Sequence, residues 1–224
     1  MPKPIVCLAA QLREDLEAFR SCFSQRQWSY FVIVLLRLVA CEERRPMTGL
    51  LRVVGERASL SGLSRFLNKW PWSAAEVAQT WRRRLRNWLE PLVAAEHARL
   101  KAEQPKRVGR PKATVVTGDL IFDDSVPVKP KGRTMGGLGR HSSQSEQRVV
   151  SGHGLFTSLS VLLGQRCPIE PHLSRQRSVC QAEGAPFQSK VALAVEAIGH
   201  FEPVAGTHTH VGSSGVPVSA GGGI

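Results

Sequence analysis

Two adjacent aspartates, Asp123 and Asp124, close the apolar stretch ATVVTGDLIFDDS. Carboxylates are the natural ligands of hard divalent ions such as Mg²⁺. Successive side chains of a strand point to opposite faces, so only one of the pair can enter a site from which the other is turned away. A second grouping is His208 and His210, an H-x-H pair that puts two imidazoles on one face of a strand, with His200 near in sequence. Zinc needs a third placed ligand, which this spacing does not supply, and a solvated strand start is the competing reading. Ser151-Gly152-His153-Gly154 holds a serine and a histidine but lacks the G-x-S-x-G elbow of a hydrolase, which sets nucleophilic catalysis aside. Gly136, Gly137 and Gly139 lack the G-x-x-x-x-G-K-[ST] order of a phosphate loop, so KPKGRTMGGLGRHSSQSEQ reads as a hairpin connection.

The elements that must position these residues change character along the chain. Thr114 to Phe122 is β-branched and apolar and reads as a strand with the two aspartates at its end, stopped by Pro127 and Pro130. RVVSGHGLFTSLSVLLG is a long β-like segment, and QRCPIEPHL continues the sheet. PFQSKVALAVEAIGHF returns to helix, with Val191, Val195 and Ile198 on one stripe. THTHV then begins another strand.

The first half is helical. Leu12, Leu16 and Phe19 recur at helical spacing, Trp28 to Cys41 forms a second helical pattern, and Leu60, Leu63 and Leu67 mark a third. After the turn KWPWS, Ser73 followed three residues later by Glu76 is a capping box, so the next helix starts at Ser73. Val77, Trp81, Leu85, Trp88 and Leu89 make its expected buried face and leave Arg82, Arg83 and Arg86 outside. Two helices joined by a short turn, the second rich in arginine, outline a helix-turn-helix DNA reader, in which phosphate contacts come first. A solvated face of a small helical bundle is the alternative. KAEQPKRVGRPK, from Lys101 to Lys112, is a basic linker; its Arg110 either enters a minor groove or is simply solvated.

Composition narrows the class of protein. Thirty Lys and Arg against eighteen Asp and Glu give a net charge of +12 and a pI near 10.3, which favours polyanionic partners and nucleic acid first. The five cysteines show no C-x-x-C pair, which fits free thiols in a reducing compartment. The run Tyr30 to Cys41 is interrupted by Arg37 and falls short of the ~20 residues a membrane span needs. No signal-peptide pattern opens the chain, so a cytoplasmic location is expected, with no membrane and no small-molecule cofactor as partner.

GDLIFDDSVPVKPKGRTMGGLGRHSS resembles the first catalytic block of DDE-type transposases of bacterial insertion sequences, in which a strand ends in Asp-Asp-Thr or Asp-Asp-Ser. A Lys-x-Gly and a Gly-x-x-Arg-x follow in that group. The matching residues here are Asp123, Asp124 and Ser125, then Lys129, Lys131 and Gly132, then Gly137 and Arg140. Pro186 to Val211 is similar to the helix that precedes the next catalytic strand, and a weaker likeness reaches back to about Met47. The resemblance implies a ribonuclease-H-like core in which Asp, Asp and Glu hold two divalent metals, Mg²⁺ or Mn²⁺, to activate the attacking oxygen and stabilise the leaving one. It makes Asp124 the expected metal ligand with Asp123 as its catalytic neighbour, and sets Lys129, Lys131, Arg133 and Arg140 against DNA phosphates.

The expected fold is α+β: a helical N-terminal DNA-binding region followed by an incomplete ribonuclease-H-like α/β domain. The boundaries are 1–100 for the helical region, 101–113 for the linker, 114–211 for the catalytic part and 212–224 for a glycine- and serine-rich tail. No aspartate follows Asp124, so the second and third carboxylates of the family are missing from this sequence, and the tail reads as a frameshift or premature stop, programmed frameshifting or a natural flexible end. The expected function is that of a transposase fragment that binds DNA at transposon ends but does not cleave it alone; self-association is a further expectation, and an unpaired sheet edge is expected to make the second half poorly soluble or prone to aggregate. The alternative is a non-catalytic DNA-binding protein or regulator.

Overall fold

The computed structural model describes residues 10–40, 59–103, 115–132, 135–143 and 146–213. They divide into two compact units, with the boundary between Arg84 and Leu85.

In the first unit, α1 (Ala10–Glu17) is followed by a single 3-10 turn, then by α2 (Gln25–Ala40) and α3 (Leu60–Asn68). The thirty-residue α4 (Ala74–Glu103) begins in this unit. Ser59 caps α3 by accepting the Gly62 N–H at 3.0 Å, and Ser73 starts α4 by accepting the Glu76 N–H at 3.1 Å, as the S-x-x-E spacing predicts. Phe23, Leu63 and Phe66 form the core, with Phe19, Trp28, Tyr30, Phe31, Trp70 and Val77 packed around them. The buried Gln27 ties α2 to the turn between α3 and α4, donating to the Pro71 carbonyl at 2.6 Å. This unit therefore rests on stacked aromatics, Phe23 and Phe31 with ring centroids 4.5 Å apart among them.

In the second unit, the main sheet has the order β5-β4-β1-β6. Its strands are β1 (Val116–Ser125), β4 (Gly154–Leu162), β5 (Gln165–Ser174) and β6 (Thr207–Ser213), and the hairpin β2 (Gly139–Ser143) with β3 (Arg148–Gly152) pairs separately. β1, β4 and β5 are successively antiparallel, and β6 lies parallel to β1. A parallel return needs a crossover. It is made by α5 (Arg177–Glu183) and α6 (Lys190–His200). The chain is thus α+β, and strand, hairpin, strand, strand, helix and returning parallel strand are consistent with part of a ribonuclease-H-like domain.

The core of this unit joins Leu85, Leu89 and Val93 of α4 to Val116, Leu120 and Phe122 of β1, Phe156 and Leu162 of β4, and Leu193 and Ala197 of α6. The spacing of Leu85, Leu89 and Val93 is four residues, so one narrow stripe of α4 is buried. Trp88, expected on that buried face, lies off the stripe and is 50% exposed. The stripe Val191, Val195 and Ile198 of α6 is likewise exposed, and Leu193 and Ala197 face the core instead. At the β-bulge between Ser158 and Leu159, the buried Ser158 hydroxyl donates to the Glu170 carbonyl and accepts the Glu170 N–H, both at 3.2 Å. The linker residues Lys101 to Glu103 continue α4, and β6 runs past Val211 to Ser213.

Candidate functional site

β1 carries both aspartates inside the strand, not beyond its end at Phe122, because β4 pairs with it as far as Ser125. Val116, Leu120 and Phe122 are buried, and Asp124 follows at the same parity, on the face covered by α6. Asp123 belongs to the opposite row with Thr117, Asp119 and Ile121. Its backbone carbonyl accepts the Thr157 hydroxyl at 3.3 Å. The carboxylate of Asp124 has a definite partner: Nζ of Lys190, the first residue of α6, donates to Oδ2 at 2.5 Å.

A divalent ion held between carboxylates requires them to converge. In the sheet register Asp124 is level with Phe156 and, one strand further, with His172. Glu170, on the same face, is two strands across and two residues along, about 12 Å away along the backbone grid. It is engaged locally, with Oε2 at 3.3 Å from His200 Nδ1 and 4.0 Å from His172 Nε2. Paired catalytic metals stand only about 4 Å apart. Among the described residues no group of three or more His, Cys, Asp and Glu is placed to hold a metal ion. The donor set for Mg²⁺ or Mn²⁺ is therefore not assembled: Asp124 stands as a single carboxylate with an ammonium on it.

The three histidines do not converge either. His208 and His210 lie opposite Thr117 and Asp119 in register, with ring centroids 5.1 Å apart, on the face away from α6. His200 is bound to Glu170 on the α6 side.

The expected DNA contacts fall in different places. Arg140 pairs in register with Ser151, whose carbonyl accepts the Lys129 N–H at 2.7 Å, so Lys129 and Arg140 flank one residue of β3. Both side chains are exposed, as is that of Lys131. On α4, Arg83 is exposed and Arg82 half-buried, while Arg84 pairs with Asp15. Arg86 pairs with Glu202 and lies 3.7 Å from Glu90. Arg110 and Arg133 lie outside the described residues.

Lys190 is the functional neighbour that sequence reasoning missed. Ser189 caps α6, its Oγ accepting the Ala192 N–H at 3.2 Å, and the S-K-V-A start carries that cap signal. Nothing in the local pattern tells that the lysine meets Asp124, because that contact spans 66 residues.

Residues 18–102 match the sequence profile of a family described as DDE superfamily endonuclease. The described part of the matched stretch is helical and ends before β1, so that stretch is similar to this superfamily while Asp123 and Asp124 fall beyond it. No curated protein matches the chain, and no solved structure does.

Proposed function

We propose that the chain is a DNA-binding member of the DDE transposase group, derived from an insertion sequence, whose complete enzymes cleave and join DNA with divalent metals. The observation that carries this reading is the endonuclease family match over residues 18–102. The net charge of +12 supports it, because a polyanion is the natural partner of such an excess. Lys129, Lys131 and Arg140 with Arg82 and Arg83 supply the phosphate contacts, and Asp124 is the family's first carboxylate. By itself the chain binds DNA without cutting it, since a lone carboxylate cannot hold two metals in register.

Binding of the full chain to a 30-base-pair duplex, titrated with NaCl, tests this reading. Several phosphate contacts make affinity fall steeply with salt, by about one power of salt concentration per contact. A flat salt dependence, or no binding at low salt, overturns it.

A second reading is a non-catalytic DNA-binding regulator. The ion pair on Asp124 and the absence of a metal-ligand cluster among the described residues favour it.

A further inference from the structure

A carboxylate takes a divalent cation when its oxygens are open and its charge is not already balanced. Asp124 meets the first condition in part and fails the second: its side chain is half exposed, but an ammonium sits on Oδ2. Lys190 Nζ donates to Oδ2 at 2.5 Å and brings a full positive charge to the group. The lysine is held at this position from its backbone. Ser189 caps α6, the Leu193 N–H donates to the Ser189 carbonyl at 3.0 Å, and Leu193 and Ala197 anchor the helix in the core. The positive pole of the α6 dipole has the same sign as the ammonium. Among the described residues the nearby carboxylates are engaged elsewhere: Asp123 is turned to the other face, Glu170 holds His200, and Glu196 accepts from Gln188.

We propose that Lys190 is the built-in counter-cation of Asp124 and that the charge at position 190 weakens the binding of a divalent ion at this strand end. The inference rests on reading Asp124 as a DDE-type ligand. With the two side chains 46% and 59% exposed, the pair is a weak and salt-screened competitor, displaceable rather than permanent.

The test is Mn²⁺ binding by the full chain, read by water-proton relaxation and by paramagnetic broadening of NMR signals around β1 and α6. Lys190→Met keeps the stem and removes the charge; it is expected to tighten Mn²⁺ binding about threefold, the scale of one exposed ion pair. Lys190→Glu sets a second carboxylate beside Asp124 and is expected to gain about tenfold or more, since ligand charge count governs such affinities. Adding Asp124→Asn to Lys190→Glu is expected to abolish the gain. Circular dichroism confirms that each variant is folded, as the exposure of both side chains predicts. If neither variant binds Mn²⁺ more tightly than the parent, or if the gain survives Asp124→Asn, the inference is overturned. DNA affinity and nicking report separately on the proposed function, so a Mn²⁺ gain without salt-dependent DNA binding would uphold the ion pair's role and sink the functional reading.

Discussion

Leu193 is 3% exposed, and Val195, two residues further along the same helix, is 65% exposed. The burial of α6 is therefore carried by Leu193 and Ala197, not by the β-branched stripe beside them. Leu193→Ala is expected to lower unfolding free energy by about 2–5 kcal/mol, through lost burial and the cavity left behind. Val195→Ala is expected to stay within about 0.5 kcal/mol, as surface substitutions do. Urea unfolding of both variants checks the contrast, and equal losses would mean that the buried face of α6 has been misassigned.

Two glycines give opposite expectations. A Cβ on Gly118 would meet Leu162 Cδ1 and the Val161 carbonyl oxygen, each at 2.9 Å, at the first pair of the β1–β4 ladder. Backbone cannot yield cheaply there, so Gly118→Ala is expected to cost about 1–3 kcal/mol. A Cβ on Gly199 of α6 meets nothing within 4 Å. Gly199→Ala is expected to add about 0.4–1 kcal/mol by restricting the unfolded chain. Thermal melts of the two variants should shift in opposite directions.

The thiols differ in access. Burial pushes the Cys167 thiol up, and Cys180 is buried as well, while Cys22 is partly exposed. A thiol raised in the folded state keeps its proton there when the unfolded thiol has lost its own. Its stabilising contribution is thus complete below the ordinary thiol range and is lost as pH climbs through it. Among the described thiols, alkylation mapped by peptide mass spectrometry at neutral pH is expected to label Cys22 ahead of Cys167 and Cys180, which stay protected until the chain unfolds.

Among the basic residues, ion pairing separates those open to DNA from those already engaged. Lys129→Ala and Arg140→Ala are each expected to lower the salt slope of DNA binding by about one. Arg86→Ala is expected to leave the slope unchanged, because its guanidinium is held by Glu202. Salt titrations of the three variants measure this directly.

How much of this was legible in the sequence depends on the range of the interaction. Ser59, Ser73 and Ser189 start their helices through bonds that reach three residues, which is why such caps can be read from spacing. The α+β order and the opposite faces of Asp123 and Asp124 follow from strand periodicity. On α4 the spacing found Leu85 and Leu89 but not the exposure of Trp88, and on α6 it chose Val191 over Leu193, because both satisfy helical spacing and only the sheet decides between them. α5 went unread although Gly184, at φ +64°, closes it with N–H bonds to the last turn, a C-cap signal visible in AEG. The Lys190–Asp124 pair had no sequence signal at all.

The most direct test of the account is a nicking assay on supercoiled plasmid with the purified full chain, wild type beside Asp124→Ala, in Mg²⁺ and in Mn²⁺ and at the salt concentration where DNA is bound. The account predicts bound but intact plasmid for both proteins in both metals. Nicking by the wild type that disappears in Asp124→Ala would contradict it, by showing that Asp124 works within a complete metal site.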